Sequence, residues 1–334
     1  MTELLLALAL LQGPDALSAQ AGELAQAGRF DEAAGLWRKA LEAAPGHFPS
    51  LFNLGFLAYN QQRDGEAAEW LRRAAKVNPK DFNTQYVMGM AHLRRGESDA
   101  ALRAWRAALA VQPGNRKLMQ VMSVEYSKGR YFEEAARMAE AALRLAPEEE
   151  ALYYVAIKAR QDAGQHDQAY ALARRALEKF PGAARANFET GFHLHKLGRW
   201  DEAMAYFDRA AAADPAYEEP HYFRGDVLLR REEGAAAESA FREALRRRER
   251  YTAARLGLAR ALQAQGKLED AATELREAAR QDPENPQPYL QLSQVLFRMG
   301  KREEAREAKE TSQRLRQARP EALNVPQARP FPAQ

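Results

Sequence analysis

Residues 184–217 read ARANFETGFHLHKLGRWDEAMAYFDRAAAADPAY. Apolar and small residues recur in this stretch at steps of three and four, which is the spacing of an amphipathic helix. Gly198 interrupts the spacing midway, and Pro215 ends it. Asp201 and Glu202 follow the glycine, at the place where the first turn of a helix favours negative charge. The stretch therefore predicts two helices joined by a short turn.

The same arrangement returns along the chain every 34 residues. Prolines mark the period at Pro45, Pro79, Pro113, Pro147, Pro181, Pro215 and, after Glu249 breaks the series, Pro283. Alanine keeps it at Ala33, Ala67, Ala101, Ala135, Ala169, Ala203, Ala237, Ala271 and Ala305. A second alanine series runs from Ala40 to Ala278 and ends on Ser312. The pattern predicts nine repeats from Pro14 to Arg319, and positions in each repeat are numbered from 1 to 34.

Repeat 6 resembles the tetratricopeptide repeat, which has a small residue at position 8, alanine at 20 and 27, a large apolar residue at 24 and proline at 32. It carries Gly191, Ala203, Phe207, Ala210 and Pro215 at those sites. Repeat 2 matches with Leu51, Leu54, Gly55, Ala67, Leu71, Ala74 and Pro79. The resemblance covers over nine-tenths of the chain. It implies an all-α, right-handed solenoid of about nine helix–turn–helix units, whose first helices line an inner groove.

A few positions depart from the pattern. Ile157 replaces the small residue of repeat 5, and Glu232 replaces the turn glycine of repeat 7, so we expect these repeats to be less regular. In repeat 9, Lys309 and Ser312 stand where other repeats place core residues, which predicts a polar cap. Residues 320–334 are proline-rich, and we expect them to be disordered.

Residues 1–13 form an apolar segment ahead of the repeats, and its run from Leu4 to Leu11 is too short to span a bilayer. Its length fits either a signal peptide or a helix that caps repeat 1. The small residues of Ala19-Gln20-Ala21 offer a cleavage site, whereas Glu3 stands where a signal peptide is basic. Export, including to a periplasm, and a cytoplasmic location both remain open.

Composition and motifs argue against several functions. The 334 residues include no cysteine and carry a net charge of +3, which excludes disulfides and thiolate chemistry and disfavours a nucleic-acid footprint over the whole surface. Phosphate-loop, dinucleotide-loop, HExxH and GxSxG motifs are missing from the sequence. The histidines are His47, His92, His166, His193, His195 and His221, and their spacing indicates no metal site. We therefore expect no catalysis, no cofactor and no small-molecule substrate.

The resemblance implies that positions 2, 5, 9, 12 and 13 of the first helix face a ligand. Positions 5, 9, 12 and 13 share one helical face, and there the sequence places an aromatic ladder with a largely basic edge. The candidate groove residues are Phe52, Phe56, Tyr59, Tyr86, Met90, Arg94, Lys128, Tyr154, Phe188, Phe192, His195, Lys196, Tyr222 and Arg230. They predict a scaffold whose groove, over repeats 2 to 6, holds an extended peptide or helix of a partner protein, with acidic residues meeting the basic edge. The alternative is that the rings pack between neighbouring first helices.

Two other functions remain as alternatives. The array could self-associate or join an assembly through its convex face or its apolar N-terminal segment. Arg246-Arg247-Arg248-Glu249-Arg250 could bind phosphate or nucleic acid. Such a run is more often a solvated helix end, which the helix dipole favours.

Overall fold

The computed structural model describes residues 13–318 and 331–332. In this part every regular element is an α-helix, and the helices form nine consecutive pairs. They are α1 (Pro14–Gln26), α2 (Phe30–Ala43), α3 (Phe48–Asn60), α4 (Asp64–Val77), α5 (Phe82–Arg94), α6 (Ser98–Val111), α7 (Arg116–Lys128), α8 (Phe132–Leu145), α9 (Glu150–Asp162), α10 (His166–Lys179), α11 (Ala184–Lys196), α12 (Trp200–Ala213), α13 (Glu218–Arg230), α14 (Gly234–Arg247), α15 (Thr252–Ala264), α16 (Leu268–Gln281), α17 (Pro286–Arg298) and α18 (Arg302–Ala318). Each pair coincides with one predicted repeat, so the all-α solenoid prediction is confirmed.

The turn inside each pair requires one residue in the left-handed region. Six repeats use glycine there, as at Gly198 with φ +75°. Gln62, Arg130 and Glu232 hold the same conformation at φ 59°, 65° and 61°, although a side chain makes it costly by about 1 kcal/mol. The backbone amide of Glu233 still bonds the carbonyl of Leu228 at 2.9 Å, which closes the helix end in repeat 7 as in its neighbours.

In repeats 1 to 8 the second helix ends before position 32, where most repeats carry proline. Proline disfavours helical geometry in the preceding residue, and Asn78, before Pro79, has φ −130° and ψ 85°. In repeat 7, Arg248 adopts φ −136° and ψ 92° without a following proline. Hence α14 stops at the usual place even though Glu249 replaces the proline.

The chain divides into two compact units. The N-terminal unit comprises Met1–Pro147 and Ala328–Gln334, and the C-terminal unit comprises Glu148–Gln327, so they contain repeats 1–4 and 5–9. Alanines of both periodic series are buried in each unit, where they allow the two helices of a repeat to approach closely.

Position 8 is small wherever position 24 is large. A Cβ on Gly89 would lie 2.2 Å from the Trp105 ring, and one on Gly191 would lie 2.9 Å from Phe207. In repeat 5 the sizes are exchanged: Ile157 at position 8 and Ala173 at position 24 are both fully buried. The lengths of α9 and α10 equal those of their neighbours, so the irregularity expected from Ile157 is not observed. The helices of repeat 7 are equally regular.

Parts of the predicted ends lie outside the described residues. This applies to residues 1–12 of the apolar segment, to Arg319 at the end of repeat 9, and to 320–330 and 333–334 of the proline-rich tail. The candidate cleavage residues Ala19 and Ala21 lie within α1, and Ala21 is fully buried. Within the tail, Phe331 is buried, with 9% of its surface exposed. Ser312 in α18 is also buried and donates a hydrogen bond to the Pro286 carbonyl.

Candidate protein-interaction surface

We call the helical face that carries positions 5, 9, 12 and 13 of the first helices the inner face. In repeat 2 it is a stack of phenylalanine rings spaced one turn apart along α3. The centroids of Phe48 and Phe52 lie 6.3 Å apart, and those of Phe52 and Phe56 lie 5.9 Å apart and are nearly parallel at 8°. Phe56 keeps 42% of its surface exposed. An exposed ring at the end of a stack offers an apolar anchor for a partner side chain.

Repeat 3 extends the aromatic surface of the N-terminal unit. On α5 the Phe82 and Tyr86 rings stack with centroids 5.7 Å apart. Tyr86 and Met90 are half-buried. Because repeat 4 carries Gln120 at position 5, the aromatic rings of the inner face in the N-terminal unit belong to repeats 2 and 3.

The basic residues predicted for this edge are engaged within the unit. The Arg94 guanidinium lies 3.7 Å from the centroid of the Tyr59 ring and donates a 2.6 Å hydrogen bond to the Tyr59 carbonyl. It also pairs with the Asp64 carboxylate at 2.6 Å. Lys128 pairs with Glu125 at 2.5 Å, although its side chain is largely exposed. Arg94 thus joins α5 to the preceding repeat, whereas Lys128 pairs within α7, and both pairings bring the rim close to neutral.

In the C-terminal unit two of the equivalent rings are buried, and Phe192 and Tyr222 are half-buried. Tyr154 and Phe188 expose only 7% and 8% of their surfaces. The Tyr154 hydroxyl donates to Glu150, and the Arg185 guanidinium lies 4.5 Å from its ring centroid. Burial raises the pKa of Tyr154 well above its usual range. Thus Tyr154 and Phe188 match the alternative of internal packing, whereas Phe56 does not.

An aromatic cluster surrounds Phe188. Its centroid lies 5.2 Å from Tyr217 and 5.6 Å from Phe223. Phe223 also contacts Phe192 at 5.4 Å, nearly perpendicular. Half-buried Tyr222 packs on Tyr251 and Phe241 at 5.3 and 5.9 Å. The rings therefore contribute chiefly to the cohesion of the C-terminal unit.

Charged groups gather beside this cluster around the buried carboxylate of Asp226. His195 Nε2 lies 2.9 Å from Asp226 Oδ2, and the Arg230 and Arg260 guanidinium groups lie 3.1 and 3.4 Å away. The hydrogen bond with His195, followed by that from Arg230, lowers the pKa of Asp226 to about 2. The carboxylate is therefore ionised at neutral pH and binds the two arginines. Exposed Lys196 lies 5.5 Å from the Phe192 ring and adds another cation.

Sequence reasoning did not include Asp226, Phe223 or Arg260 among the candidate residues. Asp226 and Arg260 occupy position 9 of repeats 7 and 8, and this position was already assigned to the inner face. Phe223 occupies position 6, where repeats 3 and 4 carry valine. Phe223 encloses rings of the preceding repeat because its side chain is large. An assignment made position by position does not reveal such an effect of side-chain size on a neighbouring repeat.

Two histidines in the C-terminal unit are buried. Burial lowers the pKa of both His193 and His221 to about 4, and they expose only 2% and 6% of their surfaces. Both imidazoles are therefore neutral at physiological pH. Among residues 13–318 and 331–332, no group of three or more His, Cys, Asp or Glu side chains could hold a metal ion.

The arginine-rich turn is paired with acidic residues of its own repeat. Arg246 and Arg247 both contact Glu243 on α14. Arg247 also donates to the Pro215 carbonyl, and Arg248 lies 3.4 Å from Glu218. This pairing reduces the charge available to a phosphate and favours the interpretation as a helix end.

The C-terminal unit also contains two surface concavities. One, of about 680 Å³, lies between α17 and α18, and Phe297, exposed by 66%, forms part of its apolar floor. The other, of about 490 Å³, lies between α13 and α14 and is lined by His221, Arg224 and Glu243. Neither contains a predicted groove residue.

The chain belongs to the tetratricopeptide repeat family. Profiles described as tetratricopeptide repeat match residues 86–119, 154–218 and 222–286, and others match residues 24–93 and 264–325. Among curated proteins no relative matches. Tetratricopeptide repeats typically bind proteins without catalysing reactions, so membership supports a protein-interaction scaffold.

Solved structures similar to this chain include MamA and YrrB. MamA (residues 41 to the end) from Desulfovibrio magneticus RS-1 is 19% identical, with 51% of this chain and 96% of that chain covered and a TM-score of 0.46. YrrB, described as a TPR protein with an unusual peptide-binding site, is 23% identical, with coverages of 56% and 97% and a TM-score of 0.44. In the described part, no helix has the length and apolar character needed to cross a membrane.

Proposed function

We propose that the chain is a non-catalytic scaffold that holds a partner protein's segment on the inner face of its N-terminal unit. The observation that carries this proposal is the stacked row of Phe48, Phe52 and Phe56, which ends in a ring exposed by 42%. Tyr86 and Met90 extend the apolar surface on the next first helix. A segment with apolar or aromatic side chains at helical or extended spacing suits this surface.

The test is to select peptides from a displayed library with the full-length chain and to measure their affinities for variants. Phe56→Ala should weaken a groove-bound peptide by at least about tenfold, because truncation of an aromatic anchor removes roughly 2 kcal/mol. Phe30→Ala is the matched control, since Phe30 is exposed by 45% in the same unit but lies on the second helix of repeat 1. The control should leave the affinity unchanged. Equal losses in both variants, or none in Phe56→Ala, would refute the proposed surface.

A second, more specific part of the proposal is that a partner segment with acidic side chains binds the C-terminal unit. Arg230 and Arg260 are exposed beside the carboxylate of Asp226, and Lys196 is exposed beside the Phe192 ring. The excess of cations favours a segment with Asp or Glu side chains. Binding of an acidic peptide should weaken as salt is added and in the Arg260→Gln variant. A salt-independent affinity would contradict this part and leave the N-terminal surface untouched.

A further inference from the structure

Repeat 4 carries an aromatic cluster that includes none of the candidate groove residues. The Phe331 ring centroid lies 5.3 Å from that of Tyr126 and 4.9 Å from that of Tyr131, in both cases edge-on at 85° and 86°. The Arg106 guanidinium carbon lies 5.5 Å from the same centroid. All four residues belong to the N-terminal unit. Phe331 is buried although it follows a proline-rich stretch far from the repeat in sequence.

The position of Tyr131 sets repeat 4 apart from the other eight repeats. Tyr131 is residue 16 of its repeat, and the others place Arg29, Arg63, Glu97, Gln165, Arg199, Glu233, Lys267 and Lys301 there. These polar residues are exposed or half-buried, whereas Tyr131 exposes only 1% of its surface. Because eight repeats pack without an aromatic ring at this position, stacking of the helices does not require one.

The ring of Tyr131 is held by its surroundings. Its hydroxyl donates a 2.8 Å hydrogen bond to Asp99 Oδ1 on α6 of the preceding repeat. A Cβ on Gly129 would lie 2.7 Å from the Tyr131 ring, so glycine leaves room for it. Tyr126 meets the ring edge-on at 6.1 Å and 88°. The three side chains of Arg106, Tyr126 and Tyr131 therefore form a socket, which binds an aromatic ring by edge-to-face and cation–π contacts.

We propose that this socket is a docking site for a proline-flanked phenylalanine, and that its occupant is the segment around Phe331 of the same chain. Pro330 and Pro332 flank the phenylalanine in sequence. Prolines restrict the free segment, which reduces the entropy lost when it docks. A single ring inserted between two tyrosines and an arginine is enough to tie the segment to repeat 4.

The absence of cysteine allows a spin label to be placed uniquely at Ala333→Cys. In the isotope-labelled full-length chain, the label should strongly broaden the backbone amide signals of Arg106, Tyr126 and Tyr131. Phe331→Ala, which lies outside the repeats and does not disturb their core, should abolish the broadening. Tyr131→Gln should do the same, since it installs the side chain that repeat 5 carries as Gln165, and circular dichroism verifies its fold. Phe30→Ala should leave the broadening unchanged.

Intact signals in the spin-labelled wild-type background would overturn the proposal. A mixed sample tests the occupant, with isotope on one set of chains and the spin label on the other. Broadening that occurs only between chains would assign the socket to a second copy and overturn the proposed occupant. The proposed groove plays no part in this experiment, so its outcome is independent of the proposed function.

A second measurement uses a fluorescent peptide of residues 325–334, VPQARPFPAQ. The Phe331→Ala variant should bind the peptide about tenfold more tightly than the wild type does. In the wild type the chain's own Phe331 segment competes with the peptide for the socket at high effective concentration. The double variant Phe331→Ala/Tyr131→Gln should lose this gain. Equal affinities of the wild type and Phe331→Ala, or full binding by the double variant, would contradict the proposal.

Discussion

Phe52 in the N-terminal unit and Phe188 in the C-terminal unit occupy the same position of their repeats, but their environments differ. Phe52 is half-buried in an open stack, whereas Phe188 is enclosed by Tyr217, Phe207 and Phe223. Repeat 6 carries Tyr217 at position 34 where repeat 2 carries Asp81, and the rest of the difference comes from position 6 of the following repeat. It is Val87 after repeat 2 and Phe223 after repeat 6. The comparison shows that one positional pattern serves as surface or as core according to the size of its neighbour.

The largest expected effect is a loss of stability when one of these two phenylalanines is truncated to alanine. Phe188→Ala should lower the free energy of unfolding by about 3–5 kcal/mol, because it leaves a cavity among buried rings. Phe52→Ala should cost only about 1 kcal/mol, since part of its ring already meets water. Urea unfolding followed by circular dichroism measures both, with Phe30→Ala as the exposed control. Equal costs for Phe52 and Phe188 would remove the distinction between the units.

The next largest expected effect is a pH dependence of the stability of the C-terminal unit. His193 and His221 have pKa values near 4 when folded and 6.5 when unfolded. Between these values the unfolded chain binds more protons, so stability falls as the pH is lowered from 6.5 to 4, by on the order of 2 kcal/mol per histidine. Hydrogen exchange resolved by segment should report this loss in residues 148–318.

His193→Gln is the variant that checks the cause. It should flatten the pH dependence of exchange in α11 relative to the wild type. An unchanged pH profile in this variant would mean that other groups cause the acid sensitivity. Asp226 does not interfere in this range, since its lowered pKa of about 2 confines its own loss of stability to more acid pH.

A smaller effect is expected from the acid–arginine anchors of the two units. Asp64 binds Arg94 in the N-terminal unit, and Asp226 binds Arg230 and Arg260 in the C-terminal unit. Asp226→Asn should cost about 1–3 kcal/mol, because His195 and two arginines lose a charged acceptor. Asp64→Asn should cost less, since a single arginine depends on it. Urea titrations of the two variants rank them, and a larger cost for Asp64→Asn would reverse the comparison.

The smallest effect is expected at an exposed pair. Arg29 and Glu32 form a 2.6 Å ion pair at positions i and i+3 in water. Such pairs gain little because solvent screens them. Arg29→Ala should leave the urea midpoint unchanged within error. A measurable loss would mean that the helix start of α2 depends on this contact.

The repeat period predicted the fold in detail, because local spacing fixes both the helices and the pairs they form. The Phe48–Phe52–Phe56 stack follows from helical spacing within one repeat, whereas the regular turn at Glu232 was not expected. Enclosure of Phe188 follows only in part, because Phe207 and Tyr217 lie in its own repeat but Phe223 lies one repeat away. The role of Phe331 was even less predictable, since a residue after the repeats packs on repeat 4 and no periodic signal connects them. Tyr131, aromatic where every other repeat is polar, was the available clue.

Solvent accessibility of individual rings tests the central claim most directly. Hydroxyl-radical footprinting read out by mass spectrometry gives an oxidation rate for each side chain in the intact protein. After normalisation for residue type, Phe56 should oxidise several-fold faster than Phe188, and Tyr86 faster than Tyr154. Equal normalised rates in the two units would contradict the account, because the inner face would then be equally open, or equally packed, in both.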